Sequence, residues 1–201
     1  MESLLSNFDH FPPSSLNVTE SVEVLVRSAR IEDINGIGEV LTSSFNQFNS
    51  FTLWIYPLLK FNVCEDVRQR WQSDDNYWCI IAEKKNAHST DCRNKIIGTV
   101  ELSFKKLHGF GCRTKMPYIA NLAVNESYRR QGIASQLLLK CEQIAKSNGF
   151  ERVYLHVLAE NKMAQKLYSH NGYTIEQVET DLYSLFVPSK RRLLFVKSIQ
   201  S

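Results

Sequence analysis

The sequence predicts an α/β (α+β) fold, a single mixed sheet of six to seven strands with helices packed against it. Three observations point there. Seven short apolar runs have the length and composition of strands. Between them lie segments whose apolar residues recur every three to four positions, and Asn-Gly pairs close two of those segments. The order strand, helices, three strands, helix, strand, helix, two strands mixes short and helix-long connections, so parallel and antiparallel pairs must coexist.

The elements follow in chain order. Met1 to about Ser21 carries Phe11-Pro12-Pro13-Ser14-Ser15 and little periodicity, and reads as a leader ahead of one domain over residues 22–201. Val22–Arg30 alternates as a first strand. Ile31-Glu32-Asp33 then opens a helix with Ile34, Ile37, Val40 and Leu41 on one face. Gly36 and Gly38 inside it suit close helix packing; a dinucleotide fingerprint would need a third glycine and a preceding turn. Phe45–Phe61 is dense in aromatics, read mainly as core, with Pro57 interrupting, and Cys64–Trp71 reads as another short helix. Tyr77–Glu83 and Ile96–Phe104 are strands around the polar loop Lys84–Lys95, and Lys105–Lys115 is an exposed basic loop. Tyr118–Val124 is a buried strand. Ile133, Ala134, Leu137, Leu138, Cys141, Ile144 and Ala145 mark an amphipathic helix stopped by Asn148-Gly149. Strand Arg152–Leu158, helix Asn161–His170 with its Asn171-Gly172 stop, and strands Tyr173–Thr180 and Arg192–Ile199 complete the chain.

Composition narrows the function classes. A chain of 201 residues with 43% apolar and 22% charged residues has the makeup of one soluble globular domain. A net charge of +3 is too small to predict a nucleic-acid partner, and no run approaches the roughly 20 apolar residues of a membrane span. The first basic residue is Arg27, after Glu2 and Asp9, which fits neither a secretory signal nor an arginine-rich transit peptide. Five scattered cysteines without a Cys-x-x-Cys pair predict reduced thiols, a cytoplasmic location and no metal site.

Tyr128-Arg129-Arg130-Gln131-Gly132-Ile133-Ala134 is the most informative segment. It joins an apolar strand to an amphipathic helix through a glycine-bearing turn. Consecutive backbone N–H groups, the positive end of a helix dipole and two guanidinium groups converge there, a combination that favours a phosphate or diphosphate.

This strand and cradle, the strand ending His156-Val157-Leu158, Asn161, and Tyr168 followed by Gly172-Tyr173 together resemble the GNAT superfamily of acetyl-CoA-dependent N-acetyltransferases. Arg129, Gly132 and Ala134 meet its Arg/Gln-x-x-Gly-x-Gly/Ala signature; Asn161, Leu167, Tyr168, Gly172 and Tyr173 meet its second. The second half of the chain carries the likeness strongly and the first half by element order alone. Within the superfamily the chain looks most like plastid-type and cyanobacterial members, and less closely like ribosomal-protein N-acetyltransferases.

The resemblance implies a splayed central pair of parallel strands with helices on both faces of the sheet, and acetyl-CoA as co-substrate. Its pantetheine arm would bond the backbone of Leu122, Ala123 and Val124. Its diphosphate would sit on the amides of Gln131, Gly132, Ile133 and Ala134, with Arg129 and Arg130 adding charge and Asn161 steadying the arm. Tyr168, two helical turns beyond Asn161 and on the same face, would stabilise the departing thiolate.

A neutral amine must attack the thioester. At pH 7 an α-amine reaches that form for about 1.4 kcal/mol and a lysine for about 4.6 kcal/mol. Where related enzymes carry a glutamate five residues before the asparagine, this chain has His156, a base candidate with an ordinary pKa near 6.5. Histone-type members carry a glutamate where this chain has Tyr118, so that base is missing; Glu101, in the preceding strand, is the fallback, with a solvated edge residue as its equal alternative reading. The expected acceptor is a protein α-amine or lysine, with a small amine or polyamine as runner-up and a non-catalytic acetyl-CoA-binding module as the contrasting class. The aromatic segment Phe45–Phe61 and Tyr183-Ser184-Leu185-Phe186 are expected to border the acceptor cleft, in a monomer or homodimer.

Overall fold

The computed structural model describes residues 23–45, 50–73, 76–85, 95–105, 115–179 and 191–200. Seven strands, β1 (Val24–Ser28), β2 (Tyr77–Lys84), β3 (Lys95–Lys105), β4 (Met116–Val124), β5 (Arg152–Leu158), β6 (Thr174–Glu179) and β7 (Arg192–Ser198), form one sheet in the order β1-β2-β3-β4-β5-β7-β6. Every pairing is antiparallel except β4 with β5. That parallel pair is joined by helix α3 (Ile133–Ser147), as a parallel connection requires.

Strand alternation divides the core between the two faces of the sheet. On one face Ile80, Ala82, Val100, Leu102, Ile119, Val153 and Leu155 pack against Ile133, Leu137, Leu138 and Cys141 of α3. Each fully buried leucine of this kind contributes about 2 kcal/mol of transfer free energy. Cys79, Ile81 and Ala123 point to the other face, where they meet Ile37, Val40 and Leu41 of α1 (Ile34–Phe45) and Val67 of α2 (Ser50–Ser73). The predicted helix face of Ile34, Ile37, Val40 and Leu41 is thus the buried one. A Cβ on Gly38 would collide with Cys64 Sγ of α2, and one on Gly36 would lie 2.7 Å from Ile96 Cδ1, which explains the small residues as packing.

Two expectations for the first half change. Helix α2 runs unbroken through Pro57 and includes Cys64–Trp71, because one missing N–H bends a helix without necessarily ending it. Phe61 is not core: it is 61% exposed, whereas Cys64 and Val67 of the same helix are buried. The side chains of Phe45, Phe51, Trp54 and Tyr56, all of Phe48, the leader and the Tyr183–Phe186 segment lie outside the described residues.

The two helix stops are built as the sequence predicts. Past α4 (Lys162–His170), Gly172 at φ 84° lets Tyr173 N–H donate to Tyr168 O (3.0 Å) and Gly172 N–H to Ser169 O (3.1 Å), a Schellman closure. Asn148-Gly149 closes α3 in the same way, with Phe150 N–H on Ala145 O. The spacing from Tyr168 to Gly172-Tyr173 therefore has a mechanical meaning: the Tyr173 amide pins the backbone of Tyr168.

Candidate active site

The β4–β5 pair is the centre of the site. Its ladder holds only Tyr118 opposite Tyr154 and Ile119 opposite Leu155, although both strands run on for several residues. Beyond Ile119 the strands part, as the splayed pair requires. At the same point β4 bulges: Thr99 pairs Ala123 and Glu101 pairs Ala120, so Asn121 and Leu122 together face Val100. Asn121 takes φ 50°, a left-handed conformation that asparagine tolerates better than most residues.

The backbone of β4 beyond Ile119 is accordingly without a β5 partner, which suits the roles assigned to Leu122 and Ala123. Val124 is more committed. Its carbonyl accepts from Arg129 Nε at 3.2 Å and from Ser44 Oγ at 3.5 Å.

From Val124 the chain passes through a 3-10 turn, Glu126–Tyr128, whose start is capped by Asn125 Oδ1 accepting from Ser127 N–H. Arg129, Arg130, Gln131 and Gly132 then lie exposed, ahead of buried Ile133 and half-buried Ala134. Gly132 is the N-cap of α3 at φ 76°, and a Cβ there would meet nothing within 4 Å. Glycine is needed for the backbone conformation, and the space above it is open to a ligand.

The first helical bond runs from Gln136 N–H to Gly132 O. Among the described residues the amides of Gln131, Gly132, Ile133, Ala134 and Ser135 have no acceptor. Five unsatisfied donors at the positive end of a helix form an anion site. The two arginines differ within it. Arg129 is turned back onto the end of β4, 3.9 Å from Glu126, whereas Arg130 stands at φ 65° with its side chain in solvent.

Asn161 is the N-cap of α4. Its Oδ1 accepts from Ala164 N–H at 3.0 Å, leaving its Nδ2 donors to serve a ligand. The same residue type thus answers a local need that the sequence reading overlooked.

Tyr168 lies in the core on the α3 side, its ring 6.0 Å from those of Tyr173 and Phe195. Burial, with a smaller contribution from Tyr118, pushes its hydroxyl up to about 12. It therefore stays protonated and can act as a donor. No hydrogen bond to that hydroxyl occurs among the described residues.

His156 projects from β5 on the opposite face, since Val153, Leu155 and Val157 join the α3-side core. Its Nδ1 is 3.0 Å from Tyr118 Oη across the β4–β5 pair. Its Nε2 is 3.0 Å from Glu179 Oε1 of β6, a close polar contact that becomes an ion pair only when the ring is protonated. Arg192 Nε of β7 is 3.9 Å from the other Glu179 oxygen, and Lys105 Nζ stands 4.5 Å over the Tyr118 ring. Burial holds the His156 pKa below its ordinary 6.5; contact with Glu179 opposes the shift, and Arg192 and Lys105 add to it. The imidazole is neutral at pH 7 and available as a base. No hydrogen bond or ring contact joins His156 to Tyr168 among the described residues; they flank the split pair from opposite faces.

Glu101 is not a solvated edge residue. It is 3% exposed in the middle of the sheet, and its Oε1 accepts from both Arg70 Nη2 (3.0 Å) and Asn121 Nδ2 (2.9 Å). Three side chains at the site escaped the sequence reading. Tyr118 counted only as the place of a missing base. Glu179 and Arg192 become visible once the register puts Glu179 opposite Arg192, and β7 between β6 and β5.

A split parallel pair ending beside an unsatisfied helix N-terminus is an arrangement suited to a diphosphate-bearing coenzyme. Comparison gives the family. The model of the acetyltransferase (GNAT) family matches residues 46–173, well over half the sequence, and the chain belongs to that family.

Among curated relatives, GCN5-related N-acetyltransferase 10, chloroplastic, of Arabidopsis thaliana is 29% identical over 127 residues, covering 61% of this chain and 50% of the relative. GCN5-related N-acetyltransferase 4, chloroplastic, of the same plant is 30% identical over 178 residues, covering 76% and 61%. The chain thus spans about half to three fifths of the length of these relatives. The PaiA N-acetyltransferase of Thermoplasma acidophilum, solved in complex with coenzyme A, superposes with a TM-score of 0.60 at 22% identity, over 88% of this chain and 99% of that one, and shows the shared fold.

Proposed function

We propose that this domain moves the acetyl group of acetyl-CoA to a primary amine by direct attack, with a protein α-amine as the preferred acceptor. The observation that carries the reading is the split of β4 from β5 beside the unsatisfied N-terminus of α3. The amides of Gln131–Ala134 hold the diphosphate, with Arg130 adding charge and Asn161 Nδ2 donating to the arm. The parted backbone at Leu122 and Ala123 takes the pantetheine. That a neighbour of the same fold was solved with coenzyme A supports coenzyme A as the ligand class.

Transfer forms a C–N bond and breaks the thioester C–S bond. The amine proton leaves toward the Tyr118–His156 pair, whose neutral imidazole is the acceptor. Tyr168 donates a hydrogen bond to the departing thiolate. Complete proton transfer from a hydroxyl near 12 to a thiolate of ordinary basicity is about 5 kcal/mol uphill, so hydrogen bonding is its contribution.

Two features favour an α-amine. A base held below 6.5 suits an acceptor that is already roughly a tenth neutral at pH 7. Arg192 already stands 3.9 Å from Glu179, the carboxylate beside that base, which leaves less negative charge to attract a polyamine.

Cys64, Cys79 and Cys141 are buried free thiols, which suits a reducing compartment. A fluorescent fusion separates the cytosol from the plastid location in the relatives' names. Thiol release from acetyl-CoA, measured with α-amino peptides, lysine peptides and polyamines, tests the function. We expect release with α-amino peptides, and about a hundredfold lower kcat for Tyr168→Phe at unchanged KM for acetyl-CoA. Tight acetyl-CoA binding without release on any acceptor identifies a binding module instead.

A further inference from the structure

The buried carboxylate of Glu101 has no part in that mechanism, yet it lies beside the bulge at the centre of the site. A carboxylate 3% exposed is costly unless fully paired. Its Oε1 draws one donor from Asn121, the left-handed residue of the β4 bulge, and one from Arg70 of α2. Arg70 is in turn paired with Asp66 one helical turn earlier.

Glycine is the usual residue for φ 50°. An asparagine side chain there adds a tether that glycine lacks. The tether reaches the one point where β4 carries an extra residue and has just lost its β5 partner.

We propose that Arg70, Glu101 and Asn121 are positioning residues for acetyl transfer. They fix the β4 bulge so that its backbone meets the thioester carbonyl at a set angle, and they tie that angle to α2. The proposal rests on the acetyl-transfer reading above. It assigns these side chains no contact with the substrate. Asn121 locks the bulge, Glu101 holds Asn121, and Arg70 balances the charge of Glu101 and anchors it to the helix.

The test uses acetyl-CoA labelled with carbon-13 at the carbonyl, bound to the full chain and followed by NMR, beside kinetics and thermal unfolding. Asn121→Gly keeps the left-handed backbone and removes the tether. Glu101→Gln keeps an acceptor for Asn121 and removes the charge facing Arg70. Both should bind acetyl-CoA within about threefold of wild type while kcat falls about tenfold at unchanged KM for acetyl-CoA. The carbonyl resonance should move back toward its free position, further in Asn121→Gly than in Glu101→Gln. Pairing Arg70→Gln with Glu101→Gln should restore the melting temperature lost in Glu101→Gln alone without restoring kcat.

A carbonyl resonance and kcat equal to wild type in Asn121→Gly, with only the melting temperature lowered, would overturn the relay and leave a structural ion pair. Should Asn121→Gly not fold, the same comparison on Glu101→Gln decides. A wild-type chain that binds no acetyl-CoA would overturn the transferase reading together with the relay. That pattern is distinct, because it appears before any variant is compared.

Discussion

The two halves of the site are made in different ways. The proposed coenzyme half is a contiguous stretch, Arg129 to Ala134, whose candidate binding groups are main-chain amides set out by the start of one helix. The proposed acceptor half joins Tyr118 of β4, His156 of β5, Glu179 of β6 and Arg192 of β7, drawn from four strands across the sheet. In the first, conformation is the chemistry, and a backbone change should act on binding. In the second, side-chain protonation is the chemistry, and substitutions should act on the pH dependence of turnover with little effect on coenzyme affinity.

The largest effect belongs to the coenzyme half. Gly132→Val places a β-branched side chain at φ 76° and fills the open space over the amides. A left-handed conformation costs roughly 1–2 kcal/mol for a residue with a Cβ, and more where branching crowds the backbone. With diphosphate approach blocked as well, acetyl-CoA should bind about a hundredfold more weakly by calorimetry. The α3 face of Leu137, Leu138 and Cys141 should still fold. Affinity within a factor of two of wild type would show that the diphosphate lies elsewhere, and the contrast between the halves would fail.

The next effect belongs to the acceptor half. His156→Gln should lower kcat/KM about tenfold at pH 7 and remove the acidic limb of its pH profile, with acetyl-CoA affinity unchanged. Stability carries the same signature. Burial lowers the folded-state pKa of His156 beneath 6.5, against the pull of Glu179. Below about 6.5 the unfolded chain binds a proton that the folded chain refuses, so this contribution is complete above that pH and shrinks as pH falls toward the folded value. The urea midpoint of wild type should therefore drop between pH 7.5 and 5.5 by more than that of His156→Gln. Equal drops would detach the histidine from both effects.

This contrast also explains what was legible in the sequence. The seven strands, the α3 and α4 stops and the cradle follow from local rules: apolar period, Asn-Gly closures and a glycine at a helix start. The Tyr168 spacing was readable too, because its closure on Tyr173 spans one helix end.

What escaped depends on register. Tyr118 gains meaning only when β4 pairs with β5, and Glu179 only when β7 enters between β5 and β6. Glu101 looked like an edge residue because nothing local announces Arg70 or Asn121 as its partners. Pro57 misled for the opposite reason, since a strong local signal gave way to a continuous helix.

The smallest effect sharpens the comparison most, because it separates charge from conformation at one position. Arg130 holds φ 65° without being glycine and exposes its guanidinium beside the cradle. Arg130→Ala removes the charge and keeps the left-handed strain. Arg130→Gly removes both, at an unfolded-state entropy cost of about 0.5–1 kcal/mol that partly offsets the relief. Acetyl-CoA affinity should fall equally in the two, about threefold at low salt, and the difference from wild type should shrink in 0.5 M salt as an exposed charge is screened. Stability should part them, with Arg130→Gly above Arg130→Ala by up to about 1 kcal/mol in urea unfolding. If the affinities separate while the stabilities do not, Arg130 acts on the coenzyme by shaping the loop, and the backbone origin of the cradle extends to its arginine.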